Sequence, residues 1–140
     1  MNNELKVSSY IRGTTKNQIS DQCKVAFYLR SATGDSGDLQ KQRKLLERES
    51  KRFGFDSNEV SIYIDPHQSG LNDGPEFLRL KSDIAKGRIN FVFISRLNRV
   101  SRSLKGLSSF FEFAKNNQFR FVSVNENMDS RYTSFLGGGK

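Results

Sequence analysis

The sequence predicts an α/β fold: a three-layer sandwich whose mainly parallel sheet has four strands in the order 2-1-3-4. Short apolar runs alternate with helical patterns along the chain, which is typical of parallel strands joined by helices. The apolar runs are continuous, as expected of strands that are buried on both faces. Connections between parallel strands are right-handed crossovers, so helices are expected on both faces of the sheet.

The first half of the chain predicts a strand, a helix and a second strand. The first strand covers residues 24–29, and a loop rich in small residues follows it. Asp38 is predicted to cap a helix that runs to about Phe53, with Gly54 at its C-terminal end. The second strand covers residues 60–64. The inward face of the helix is expected to consist of Leu39, Leu45, Leu46 and Phe53.

The second half repeats the alternation. Pro75 suits the first turn of a second helix, which Gly87 closes. The third and fourth strands are predicted over residues 89–94 and 119–124. The inward face of the second helix is expected to consist of Phe77, Leu78, Leu80 and Ile84. A third helix, between those strands, is indicated by the spacing of Leu104, Leu107, Phe110, Phe111 and Ala114.

The chain is expected to hold one domain. Residues 1–22 are polar and have no sustained period, so they predict a flexible leader that adds no strand to the sheet. Residues 23–131 are predicted to form the domain. Residues 132–140 contain three consecutive glycines, which oppose a helix, and are expected to form a flexible tail.

The composition indicates an anionic partner and a cytoplasmic protein. The chain has 23 lysines and arginines against 15 acidic residues, for a net charge of +8. Nucleic acid is the commonest partner of such a basic domain. No apolar run approaches the roughly 20 residues that span a bilayer. The lone Cys23 cannot form an internal disulfide, which favours a reducing compartment, and a single histidine excludes a His-pair metal site.

An arginine cluster follows the third strand. Arg96, Arg99 and Arg102 have a three-residue spacing that would place them on or near one face of a helical turn. Guanidinium groups are planar and permanently charged, and they bind phosphate oxygens bidentately. In parallel sheets ligands bind beyond the carboxyl ends of the strands, where Arg30 and Asp65 are also expected. The cluster is therefore predicted to bind a DNA phosphodiester.

Five motifs in order resemble the catalytic domain of the serine site-specific recombinases, the family of resolvases, invertases and large serine integrases. The motifs span residues 24–131, nearly the whole predicted domain. They are Tyr28-Leu29-Arg30, Leu39-x-x-Gln42, Tyr63-x-Asp65-x-x-x-Ser69-Gly70, Arg96-Leu97-Asn98-Arg99-x-x-Arg102-Ser103, and Phe121-Val122-Ser123-Val124-x-Glu126-x-Met128-Asp129. The resemblance implies a resolvase-like fold and a mobile or integrated genetic element as the source.

The resemblance also implies a reaction and its residues. In the family a serine hydroxyl attacks a DNA phosphodiester and forms a phosphoserine link, without metal or cofactor. Arg30, Arg99 and Arg102 match the catalytic arginines, which would stabilise the transition-state charge. Gln42 matches a residue that orients the active-site loop, and Asp65 matches an acidic residue of the site.

Three positions depart from the family pattern. The nucleophile position is Ala32, which has no hydroxyl. A further family arginine corresponds to Gly74, and the acidic residue before the second catalytic arginine corresponds to Asn98. Three losses together predict a degenerate catalytic domain. The family's dimerisation helix and DNA-binding domain also have no counterpart after residue 131, so self-association or binding to a related recombinase is left open.

Three alternatives remain open at this stage. Ser31, Thr33 or Ser36 could supply a substitute nucleophile. The chain could instead be a non-catalytic regulator that binds DNA or a recombinase. The loop over residues 31–36 is also compatible, less closely, with a flavodoxin-like domain that binds phosphate or flavin.

Overall fold

A computed structural model of the chain describes residues 24–69 and 72–132, which form a five-stranded sheet covered by helices. The sheet order is β2-β1-β3-β4-β5, so the four predicted strands and their order are confirmed. The predicted leader lies outside the described residues, as do residues 133–140 of the predicted tail. The elements are β1 (Val25–Arg30), α1 (Ser36–Arg52), β2 (Ser61–Asp65), α2 (Pro75–Ala85), β3 (Phe91–Ile94), α3 (Leu104–Asn117), β4 (Arg120–Ser123) and β5 (Met128–Asp129).

The four predicted strands are parallel, and their register brings the site residues to one edge. Arg30 at the end of β1 pairs with Asp65 at the end of β2. Tyr28 pairs with Ile94 of β3, which in turn pairs with Ser123 of β4. The carboxyl ends of the strands therefore meet where ligands bind in this class of sheet.

The fifth strand is an addition to the predicted sheet. Met128–Asp129 pairs antiparallel with β4 after a turn in which Asn127 adopts φ 53. Arg120 of β4 donates to both carboxylate oxygens of Asp129 at 3.0 and 2.6 Å, which fixes the short strand in place. A strand of two residues is too short to produce a periodic pattern, so the sequence did not predict it.

Alternate residues of β1 and β3 fill two separate cores. Tyr28, Val92 and Ile94 face α2 and α3. Phe27 and Phe93 face α1, and both are almost fully buried. Burying each such ring stabilises the fold by roughly 1.5–3 kcal/mol. Both faces of the central strands are thus apolar, which explains the continuous apolar runs in the sequence.

Helix α1 begins earlier than predicted. Asp35, not Asp38, is its N-cap, and its Oδ1 accepts the Gly37 and Asp38 amides at 2.8 and 3.3 Å. Leu46 is fully buried, as predicted, whereas the other three predicted residues are only half-buried. The earlier start leaves the Asp38 carboxylate available for tertiary contacts.

Two leucines expected in the core are exposed. Leu78 on α2 is 52% exposed because the buried face of that helix is formed by Phe77, Leu80 and Ile84. Leu104 is 86% exposed at the start of α3, whose buried residues are Phe110 and Ala114. Helical spacing alone overestimated the width of both apolar faces. No helix of residues 24–69 and 72–132 has the length and hydropathy of a membrane span.

Candidate active site

The Arg30 side chain is turned into the protein. The residue is 4% exposed, and its Nη1 donates to the Val100 carbonyl at 3.1 Å while Nη2 donates to the Asn98 carbonyl. Burial lowers the pKa of Arg30, and the nearby positive charge of Arg99 acts in the same direction. The guanidinium is therefore held by two peptide carbonyls, while the negative charge of Asp65 acts on it without a direct contact.

The carbonyls that hold Arg30 belong to a single turn of 3-10 helix, Leu97–Arg99, and to the residue after it. We call Leu97–Arg99 the arginine turn. Both carboxylate oxygens of Glu126 accept the Leu97 amide at 3.2 Å, and the Ser123 hydroxyl donates to the same carboxylate. Glu126 thus anchors the arginine turn from the loop after β4. Glu126 belongs to the last of the five motifs, but the sequence assigned it no role.

Arg99 is only loosely satisfied. Its Nη1 donates to the Arg30 carbonyl at 3.3 Å, and its Nη2 lies 3.4 Å from Asp38 Oδ1. Its Nε is buried and has no acceptor among the described residues. Charge-assisted hydrogen bonds are usually about 2.7–2.9 Å long, so Arg99 keeps the capacity to bind a stronger acceptor.

Gln42 fixes the backbone of Arg30 from α1. Its Nε2 donates to the Arg30 carbonyl at 2.9 Å and to Asp38 Oδ2 at 3.0 Å. Its Oε1 accepts the Arg30 amide at 3.3 Å. A buried side chain that bonds both the N–H and the C=O of one residue holds that residue in place, and the orienting role of Gln42 toward the active-site loop stays a prediction.

Asp65 is fully satisfied by internal donors. Its carboxylate is 2% exposed and accepts the Tyr28 hydroxyl at 2.7 Å and the amides of Glu76 and Phe77 at 3.0 and 2.9 Å. Burial, together with the hydrogen bond to Asp65, raises the pKa of Tyr28 far above its ordinary value. Asp65 therefore stabilises the N-terminus of α2.

Gly74 lies against Asp65. A Cβ at position 74 would come within 2.4 Å of the Asp65 carboxylate, a distance that no real contact reaches. The position that corresponds to a family arginine therefore has no room for any side chain unless Asp65 moves. The sequence showed that the arginine was missing but could not show this close approach to Asp65.

The predicted nucleophile position lies in the exposed turn after β1. Ala32 and Thr33 are exposed, whereas Ser31 is 3% exposed. Ser31 Oγ accepts the Gly34 amide at 3.1 Å and lies 3.4 Å from Thr33 Oγ1. Ser36 is exposed in the first turn of α1. Of the three candidate substitutes, Thr33 and Ser36 are thus accessible and Ser31 is not.

The other site residues lie at the surface. Arg96, Asn98 and Arg102 are exposed. The three arginines do not share a helical face, because the arginine turn ends at Arg99 and Arg96 has extended backbone at φ −147 and ψ 155. Within residues 24–69 and 72–132 no three His, Cys, Asp or Glu side chains cluster as metal ligands would.

Comparison with known proteins identifies the family. A family model described as the resolvase N-terminal domain matches residues 25–136. The N-terminal catalytic domain of TP901-1 integrase is 26% identical with a TM-score of 0.73, over 81% of this chain and 88% of that chain. A serine recombinase from Sulfolobus solfataricus is 28% identical with a TM-score of 0.58, over 73% and 68% of the two chains.

A further structure supports the fold alone. A resolvase family site-specific recombinase from Streptococcus pneumoniae is 21% identical with a TM-score of 0.68, over 84% of this chain and 85% of that chain. Comparison with curated protein sequences gives no match. The family match covers the sheet, the arginine turn and the turn after β1, and it favours the recombinase interpretation over a flavodoxin-like one. The chain belongs to the serine recombinase catalytic-domain family.

Proposed function

We propose that this domain binds the phosphodiester backbone of DNA without forming a covalent link to it. The observation that carries the proposal is Ala32, which occupies the exposed turn after β1 where the family's nucleophile is expected. Covalent phosphoryl transfer requires a nucleophilic oxygen that attacks phosphorus while the 3′-oxygen of the DNA leaves. A methyl group cannot supply that oxygen.

The arginine side of the site supports phosphate binding. Arg99 has a buried Nε with no acceptor in the described part of the chain, and Arg96 and Arg102 are exposed nearby in sequence. The net charge of +8 draws the chain to any duplex. Binding should therefore be weak, independent of sequence and strongly dependent on salt.

The other departures support a degenerate site. Without an arginine at Gly74 a phosphoryl transition state lacks one positive neighbour, and Asn98 lacks the carboxylate of an aspartate. Losses of single groups from such a unit typically reduce the rate by orders of magnitude, and they are not additive. Ala32→Ser alone is therefore expected to restore no cleavage.

A second function, binding to a related recombinase as a regulator, is favoured by one surface feature. A groove of about 850 Å³ lies between α3, β4 and the segment after β5. Two of its lining residues, Leu104 and Tyr132, are 86% and 73% exposed. Apolar surface of this kind is typical of protein interfaces. Sedimentation of the chain with and without a recombinase of the family would test it.

The test of the main proposal is a search for a covalent adduct. The purified chain is incubated with supercoiled DNA, and peptides carrying nucleotide are mapped by mass spectrometry. We expect no adduct and no relaxed or cleaved DNA. A nucleotide from the DNA linked covalently to Ser31, Thr33 or Ser36 would overturn the proposal, because it would show that another hydroxyl serves as the nucleophile.

A further inference from the structure

We propose that Asp38 is an internal anion that competes with a DNA phosphate for Arg99 and so limits the affinity of the site. The inference rests on the proposed binding of DNA phosphate and concerns its regulation. It starts from the position of Asp38 in the first turn of α1, which β2, α2 and β3 separate in sequence from the arginine turn.

Asp38 is free to make this contact because Asp35 caps the helix in its place. Its Oδ2 accepts from Gln42 at 3.0 Å, and its Oδ1 lies 3.4 Å from Arg99 Nη2. The Asp38 and Arg99 side chains are 34% and 25% exposed. The pair is thus partly shielded from water but remains accessible to a ligand.

The ion pair leaves most of the binding capacity of Arg99 unused. Nη2 has a long contact to the carboxylate, and Nε has no acceptor within the described residues. A phosphate oxygen could accept from Nη2 in place of Asp38 Oδ1, because a guanidinium forms short charge-assisted hydrogen bonds with phosphate oxygens. A second contact, to the buried Nε, would require the Arg99 side chain to move.

Removing the charge of Asp38 should change the affinity for DNA in opposite directions, depending on whether Asp38 competes with the phosphate or helps to bind it. If Asp38 competes, removing its charge raises the affinity for DNA. If Asp38 instead orients Arg99 for the ligand, removing the charge lowers the affinity. Partly exposed ion pairs have strengths that correspond to a change of about twofold to fivefold in an equilibrium constant, which binding measurements resolve.

The experiment compares Asp38→Asn with Glu47→Gln. Both variants remove one negative charge from α1, and Glu47 pairs at 3.2 Å with Arg43 on the same helix and not with the site. Asparagine retains an oxygen that can accept from Gln42, so Gln42 should keep its hydrogen bonds to the backbone of Arg30. Affinity for a labelled duplex is measured by fluorescence anisotropy at several salt concentrations, and urea unfolding confirms that each variant is folded.

We expect Asp38→Asn to bind DNA about twofold to fivefold more tightly than Glu47→Gln. The gain should disappear when Arg99→Ala is added to both variants. A lower affinity for Asp38→Asn, an equal one, or a gain that survives Arg99→Ala would overturn the inference and leave the proposed function standing. Absence of DNA binding by the unmodified chain at low salt would overturn both.

Discussion

The carboxyl ends of β2 and β3 hold charged side chains in opposite ways. At β2, the Asp65 carboxylate has three internal donors and no room for a neighbour at Gly74. At β3, Arg99 has two long contacts and a buried Nε with no acceptor among the residues described. A fully satisfied charge stabilises the fold, whereas a partly satisfied one can still bind a ligand. The β2 end therefore stabilises the fold, whereas the β3 end keeps hydrogen-bonding capacity that the described residues do not use.

The largest effect is expected for a substitution at the β2 end, measured as the free energy of unfolding. Asp65→Ala should lower the free energy of unfolding by about 3 kcal/mol, because the Tyr28 hydroxyl and two amides of α2 lose their acceptor. Arg99→Ala should change it by less than about 1 kcal/mol. Urea unfolding followed by circular dichroism measures both. Equal losses of unfolding free energy in Asp65→Ala and Arg99→Ala would contradict the proposed difference between the two strand ends.

Restoring an arginine at position 74 should also destabilise the domain. The new Cβ would lie within 2.4 Å of the Asp65 carboxylate, so Gly74→Arg should lower the free energy of unfolding by about 2 kcal/mol. Asn72→Arg is the matched control, since it adds the same side chain at an exposed position of the same loop and should change stability by less than about 0.5 kcal/mol. A stable Gly74→Arg protein would show that Asp65 moves easily.

Alkaline pH should lower the free energy of unfolding through the ionisation of a tyrosine on β2. Tyr63 of β2 donates to Asp83 at 2.6 Å, and burial together with that hydrogen bond raises its pKa from 10.0 to about 12. The protonated tyrosine therefore contributes stability that is fully present below pH 10 and is lost as the pH rises through 12, by at most about 2 kcal/mol. Tyr63→Phe should flatten the fall in unfolding free energy over this range. An unchanged pH profile in Tyr63→Phe would contradict the assignment.

The smallest expected effect is on DNA affinity at the β3 end. Replacing Arg99 and Arg102 together by alanine should weaken binding about tenfold, equally for duplexes of unrelated sequence. The slope of log affinity against log salt should fall by about two. Anisotropy titrations with two unrelated duplexes measure both quantities. If the unmodified chain binds no duplex at low salt, the β3 end is not open to DNA.

Most of the fold could be predicted because it depends on local pattern. The continuous apolar runs and the intervening helical spacing predict four parallel strands, and the structure contains these four. The start of α1 was misplaced by three residues because both Asp35 and Asp38 are good cap residues, and only the structure decides between them. Leu104 was expected in the core but is exposed, because spacing alone overestimates the width of the buried face of α3.

Less of the candidate site could be predicted. The sequence identified Arg30, Asp65 and Arg99 at strand ends, and the structure brings them together there. It could not show that Arg30 turns inward to peptide carbonyls or that Glu126 anchors the arginine turn, since both contacts join residues far apart in the chain. The roles of these residues in DNA binding remain predictions.

The close approach of Gly74 to Asp65 also makes two of the departures from the family pattern unequal. A hydroxyl at Ala32 needs one substitution at an exposed position, which the fold can accept at once. An arginine at Gly74 first requires a change that moves the Asp65 carboxylate, and that change leaves its donors unpaired. The order of the two substitutions therefore matters, because only the one at Ala32 is accepted without a prior change elsewhere in the fold.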